Sequence, residues 1–303
     1  MVTPLSREAA NALHVLPFYK HSFKYTKWHI VRMGLAGLFS IPRLCLVPVA
    51  ILPPYILSFL SNTHKIWHNC FLKTTKWSAR LILMICGIYH IKVNDKHLDQ
   101  FNPSIYISNH TSPLDYLVML YCAPQVPAFV CQHYIQQIPI VGRIASSLQT
   151  LFTINNDSSV DIFKINPSKP LAVFPEGTTT NGLYVISFKA GAFTMSQSVL
   201  PMTIEYSCGC SNESLDSFAL FYALFTRFYH HCEVTVHPSY VPSEKEARDP
   251  LLYASNMQSY IADKLGVPTY STSLGNQIVY KAFRTGRIDY SEAYSRIYDK
   301  EHD

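Results

Sequence analysis

The sequence predicts an α/β domain whose sheet is mixed, largely parallel and flanked by helices, preceded by an N-terminal membrane-embedded helical hairpin. Three observations carry this expectation. From Gly87 onward, short apolar runs alternate with amphipathic ones, the pattern of successive strand and helix units. Between residues 34 and 60 the only charge is Arg43. The 303 residues are 48% hydrophobic and 15% charged, enough to bury a sizeable core and unlike a disordered or collagen-like chain. The formal charge of +5 is scattered along the chain, which suits an anionic membrane surface or small anionic ligands. Duplex DNA binders carry a dense basic stripe, so no nucleic-acid partner is expected.

Residues 1–29 are polar, with Arg7, Lys20, Lys24 and Lys27 set against Glu8. They hold no early apolar h-region, which argues against a cleavable signal peptide. Residues 30–61 are predicted to embed in a membrane. Pro42, Pro48, Pro53 and Pro54 argue for a break, because each removes a helical hydrogen bond or clashes with the preceding turn. The limbs on either side are then about half the ~20 residues needed to cross a bilayer. Basic residues precede the segment, and Lys65, Lys73, Lys76 and Arg80 follow it. That bias keeps both ends cytosolic, as a re-entrant hairpin requires. The competing reading is a buried core helix. Over 62–86, Trp67, Phe71, Trp77 and Leu81 recur at helical spacing beside the basic stripe of Lys73, Lys76 and Arg80. This suits a helix at the headgroup interface, or equally one packed on the domain.

In the domain at 87–270, strands are expected at 88–93, 104–108, 128–131, 151–154, 171–174, 199–206 and 233–241. Helices are expected at 113–121, 135–147, 188–197 and 251–265. The polar tail at 271–303 carries no legible role. Eight cysteines are too few for a disulfide scaffold in a chain this long, and Cys45, Cys70 and Cys86 read as buried reduced thiols. Cys208-Gly209-Cys210 and His230-His231-Cys232 lack the paired spacing of a zinc site, so no metal is expected.

The run Ser104-Ile-Tyr-Ile-Ser-Asn109-His110-Thr-Ser112-Pro113-Leu-Asp115 is the most informative stretch. An apolar strand stops at Ser108, and a helix should start with Ser112 as N-cap and Pro113 at its first position. Asp115 then suits an S-x-x-D capping device, which needs no catalysis. Capping leaves His110 unexplained. It sits on a strand-to-helix loop, where open α/β sheets host ligands. A carboxylate bonded to one imidazole nitrogen leaves the other as a proton acceptor, able to deprotonate a substrate hydroxyl.

The strand Leu171-Ala-Val-Phe174 leads into Pro175-Glu176-Gly177-Thr178-Thr179-Thr180-Asn181-Gly182. Such a loop offers backbone N–H groups and hydroxyls in a concavity that can hold a phosphate or an oxyanion. In Phe188-Lys189-Ala-Gly191-Ala-Phe193, Lys189 can meet a phosphate and Gly191 permits close approach.

Taken in order, these segments resemble the PlsC-like glycerolipid acyltransferases, which include lysophosphatidic acid and lysophospholipid acyltransferases. The resemblance covers Gly87 to about Tyr240. It rests on Asn109-His110-x4-Asp115, Phe174–Thr178, Phe188-Lys189-x-Gly191-Ala192-Phe193, Leu200-Pro201 and Ile138-Pro139-x-x-Gly142. The T-S-P-L-D and E-G-T-x-x-N-G forms look most like the fungal lysophosphatidic acid:oleoyl acyltransferase branch. The resemblance implies acyl transfer from acyl-CoA, a co-substrate rather than a cofactor, to a free glycerol hydroxyl of a lysophospholipid. It also implies a reaction without a covalent acyl-enzyme. It implies His110 as general base and Asp115 as its orienting partner, with Asn109, Glu176, Gly177 and Thr178 at the acceptor. The expected acceptor is lysophosphatidic acid, converted to phosphatidic acid.

Two departures bear on the acceptor. Where the family carries arginines, this chain has Asn155 and Asn156 after the strand at 151–154 and Thr179 after E-G-T. Threonine and asparagine cannot replace an arginine's charge, so Arg143 or Lys189 substitutes, or the acceptor differs. A rival reading is a non-catalytic membrane or lipid-droplet scaffold that keeps the fold. Another is a soluble CoA-dependent transferase. A monotopic insert with cytosolic flanks places the protein in the endoplasmic reticulum membrane and on lipid droplets, with its catalytic domain in the cytosol. The sequons at Asn156 and Asn212 should then stay unmodified.

Overall fold

The computed structural model describes residues 15–18, 27–95, 105–153, 170–206, 229–272, 274–284 and 287–298. Asn155, Asn156, Asn212, Cys208, Cys210 and the basic residues Arg7, Lys20 and Lys24 lie outside them.

The chain enters through helix α1 (Lys27–Leu60), which takes in all four prolines without a break. The predicted hairpin inside 30–61 is therefore corrected. Proline removes individual bonds, but a continuous helix still gives every other N–H an internal acceptor, which an apolar segment needs more than it needs a turn. The turn comes later, over 61–64, where Thr63 N–H and its hydroxyl both donate to the Leu60 carbonyl. Helix α2 (Lys65–Ile85) then runs back and packs on α1. Arg43, the one charge of the apolar run, donates to the Tyr89 hydroxyl at 2.9 Å.

α2 packs on the domain and leaves part of its apolar surface exposed. Phe71, Ala79 and Leu83 are buried in the domain core, while Ile66 and Trp77 are 73% and 75% exposed. Part of its basic stripe serves the protein. Lys76 donates to the Ala123 carbonyl, and Arg80 to the Ile88 and Tyr89 carbonyls.

The domain follows: β1 (His90–Asn94), β2 (Ile105–Ser108), α3 (Asp115–Cys122), β3 (Ala128–Gln132), α4 (Pro139–Ser147), β4 (Leu151–Thr153), β5 (Leu171–Val173), β6 (Val185–Ile186), β7 (Val199–Tyr206), β8 (His231–Val236), α5 (Glu244–Arg248), α6 (Pro250–Leu265), β9 (Thr269–Tyr270), α7 (Leu274–Arg284) and α8 (Tyr290–Tyr298). Seven strands form one sheet in the order β1-β8-β7-β2-β5-β3-β4. Every neighbouring pair is parallel except β7–β8, so β1 and β8 run against the other five. The mixed, largely parallel sheet is as predicted.

β2 shows why its sequence reads as a continuous apolar run. Ile105 and Ile107 face one core layer with Tyr253 and Met257 of α6, while Tyr106 faces the other with Met119 of α3. A strand covered on both faces has no polar side to alternate with.

Several expected elements differ. The strand predicted at 233–241 runs instead from His231 to Val236. The helix predicted at 135–147 begins as a 3-10 turn (His133–Gln137), and α4 starts at Pro139. Gly142 belongs there because a Cβ would collide with the Gln136 carbonyl. The helix predicted at 188–197 is only a 3-10 turn (Ala190–Phe193). Cys45 and Cys70, expected buried, are exposed, whereas burial pushes the Cys86 thiol up to about 12. The tail is not structureless: α7 and α8 cover β6 and the segment at 15–18 through Tyr280, Ala293 and Ile297.

Candidate active site

β2 and β5 are parallel neighbours, so the loops leaving their carboxyl ends meet above the same edge of the sheet. Those loops are 109–114 and 174–184, the two motif-bearing stretches. They are fastened together at several points. The Glu176 carboxyl accepts the His110 N–H at 2.7 Å through Oε1 and the Ile186 N–H at 3.3 Å through Oε2. Thr180 N–H returns the tie by donating to the His110 carbonyl at 2.9 Å.

His110 Nδ1 lies 2.9 Å from Asp115 Oδ2. The same oxygen accepts the N–H groups of Thr111 and Ser112, at 2.7 and 2.8 Å. Its partner Oδ1 accepts the Tyr206 hydroxyl at 2.6 Å. Asp115 is fully buried, and four donors converge on it, as a buried carboxylate requires. The predicted cap is corrected, since the helix begins at Asp115 with Leu114 as its N-cap, and Ser112 and Pro113 lie in the turn before it. Asp115 reaches back to the Ser112 N–H, which closes that turn and places Oδ2 against the imidazole. Ser112 Oγ accepts the Leu114 N–H rather than that of Asp115. An ionised carboxylate only accepts, so Nδ1 carries the proton and Nε2 is left as the basic nitrogen.

The imidazole is held in plane by aromatic neighbours. It stacks on Phe174 at 4.4 Å between ring centroids and meets Tyr116 edge-on at 5.4 Å. His110 lines a cavity of about 770 Å³, a size suited to a lipid-like or cofactor-sized ligand. One wall is apolar, built by Ile51 and Pro54 of α1, Ile82 of α2 and Leu117 and Leu120 of α3. The other end is polar, with Thr178, Lys189, Gln277 and Lys281.

The remaining sequence-predicted residues divide. Gly177, Thr178 and Lys189 share the cavity wall with His110. Gly177 adopts φ +68°, and a Cβ there would lie 2.8 Å from Lys189 Cε, so its bare backbone is what lets the lysine cross the loop. Asn109 turns away. Its amide donates to the Ile204 carbonyl and accepts the Ile204 N–H, both at 2.9 Å, tying the loop to β7. Glu176 also stands behind the wall, where burial pushes its carboxyl up to about 8. Arg143 lies outside the cavity, its guanidinium 4.3 Å from the Phe59 ring centroid and its Nε 3.4 Å from Ser58 Oγ. It docks α4 on α1 instead of gripping an anion.

The loop offers fewer open donors than expected. The N–H groups of Gly177 and Asn181 go to the carbonyls of Phe174 and Pro17, and the Thr178 hydroxyl donates to Gln277. Three contributors escaped the sequence reading: Tyr206, Gln277 and Lys281. Each approaches from a distant part of the chain and carries no local signal.

The Acyltransferase family profile matches residues 90–205, which span β1, both site loops and β7. The chain carries an acyltransferase-family domain. It is 31% identical over 205 residues to the lysophospholipid acyltransferase LPEAT1 of Arabidopsis thaliana, covering 61% of this chain and 50% of that one. It is 29% identical over 208 residues to the lysophosphatidylcholine acyltransferase of Drosophila melanogaster, covering 62% and 38%. The chain thus spans half the length, or less, of these curated relatives. In fold it is similar to the crystal structure of the 1-acyl-sn-glycerophosphate (LPA) acyltransferase, PlsC, from Thermotoga maritima. That match has a TM-score of 0.57 and 18% identity, and covers 78% of this chain and 97% of that one. None of these three relatives is fungal, so the narrower fungal-branch resemblance rests on the motif forms alone.

Proposed function

We propose that this chain is an acyl-CoA-dependent O-acyltransferase acting on the free glycerol hydroxyl of a lysophospholipid, with lysophosphatidic acid the favoured acceptor and phosphatidic acid the product. One observation carries the reading. The His110–Asp115 pair presents its basic nitrogen on a cavity with one long apolar wall and one cationic, polar end. The lysophospholipid acyltransferases among its relatives support the acceptor class.

The geometry supports the following chemistry. His110 Nε2 takes the proton of the acceptor hydroxyl as its oxygen attacks the thioester carbonyl carbon. Asp115, already bonded at Nδ1, stabilises the imidazolium that forms. As the tetrahedral intermediate collapses, the C–S bond breaks and the CoA thiolate takes the proton back from His110. The fixed ring lowers the barrier by avoiding reorientation during the reaction. The exposed apolar faces of α1 and α2 support membrane association; a seat in the endoplasmic reticulum membrane and on lipid droplets, with the catalytic domain in the cytosol, is part of the same proposal.

The test is purified full-length protein with oleoyl-CoA and a panel of lysophospholipid acceptors. His110→Ala should lose about 10²–10⁴-fold in rate with its melting temperature unchanged. Equal product from both proteins would remove His110 as the base.

A further inference from the structure

We infer that the C-terminal helix α7 completes an anion site at the polar end of this cavity, with Lys281 joining Lys189 as a ligand for a phosphate ester. The inference rests on the acyl-transfer reading for which esters arrive, and on the cavity itself for their charge.

Three observations converge. First, α7 is pinned to the site loop by a buried side chain. Gln277 is 2% exposed; its Oε1 accepts the Thr178 hydroxyl at 2.5 Å and its Nε2 donates to the Thr179 carbonyl at 3.3 Å. Second, Lys281 lies four residues after Gln277, one helical turn on, and so projects from the same face of α7. Both side chains line the cavity. Third, among the described residues the cavity wall contains Lys189 and Lys281 but no aspartate or glutamate. A wall with two ammonium groups and no carboxylate favours an anion, and lysine binds phosphate as a compact point charge.

This arrangement answers the loss of arginine at Thr179. The cation comes from a helix about a hundred residues away in sequence (Thr179 to Lys281) and is delivered by Gln277, which holds the loop where that arginine would have started. The phosphate belongs either to the acceptor headgroup or to CoA.

Equilibrium binding to the full chain in detergent micelles separates the two, with each probe added alone so that no transfer occurs. The probes are lysophosphatidic acid, uncharged monoacylglycerol and CoA, and the proteins are wild type, Lys281→Ala and Lys281→Arg. Lys281→Ala should weaken one or both phosphate-bearing probes by about tenfold, leaving monoacylglycerol unchanged, with Lys281→Arg close to wild type. Loss for lysophosphatidic acid alone assigns the site to the acceptor, and loss for CoA alone assigns it to the donor. Unchanged binding of both phosphate probes overturns the inference. So does an equal loss for all three, which marks a structural role. Should binding respond as expected while wild type transfers no acyl group, the anion site stands and the acyl-transfer reading falls.

Discussion

Tyr206 illustrates how the site is tuned one side chain at a time. It sits at the end of β7, and its hydroxyl reaches Asp115 Oδ1, the one carboxylate oxygen that faces neither His110 nor the 111–112 turn. A hydrogen bond to an ionised group contributes about 1.5–3 kcal/mol, against about 1 for a neutral one. Tyr206→Phe is thus expected to lower unfolding stability by about 2 kcal/mol, read by denaturant titration. It should also cut kcat by about tenfold with KM unchanged, because the carboxylate loses one of its three anchors and holds the imidazole less firmly. A variant with normal kcat would show that Thr111 and Ser112 suffice. His110 and Asp115 were legible in the sequence because five residues of strand-to-helix loop bring them together. Tyr206 was not, since its partner is 91 residues away. Asn109 was legible as a motif member, but only the structure shows that it serves β7.

Among elements, the strands were read best. β2, β5 and β7 are apolar runs buried on both sides of the sheet, and their limits in sequence lie within a residue of the observed ones. Helix limits were less legible where a local signal was outweighed by its surroundings, as with the prolines of α1 and the short turn at Ala190–Phe193. The joint between the loops after β2 and β5 has a testable pH signature. Burial raises the Glu176 carboxyl from 4.5 to about 8, so the folded protein holds a proton that the unfolded chain releases. The stability that proton confers is fully present below the unfolded value and is lost as pH rises through about 8. Melting temperature should therefore decline between about pH 4.5 and 8 relative to Glu176→Gln, whose amide does not titrate. Parallel pH profiles for the two proteins would show that Glu176 is ionised when folded.

At the scale of the molecule, the outstanding feature is an apolar face left uncovered beside a well-packed domain. Ser40–Leu60 has a mean hydropathy of 1.8 over 21 residues yet is only 17% buried, so by length and composition it can cross a membrane. Ile66 and Trp77 on α2 are exposed as well. Wild-type protein mixed with phosphatidylcholine–phosphatidylserine vesicles should float with them and resist alkaline carbonate. Leu44→Asp with Val49→Asp should release it, since a carboxylate at bilayer depth costs about 3 kcal/mol per residue. Recovery of the unaltered protein in the soluble fraction would argue that α1 docks on protein instead. The composition of residues 34–60 made this face legible early; the exposed apolar residues of α2 were only half legible, because the same helix also serves the core.

Ile51 and Pro54 belong at once to that uncovered helix and to the chamber that holds His110. One helix therefore carries an uncovered apolar face on one side and lines that chamber on the other. α1 is thus also a wall of the His110 chamber, so trimming it to gain solubility would open that chamber to water.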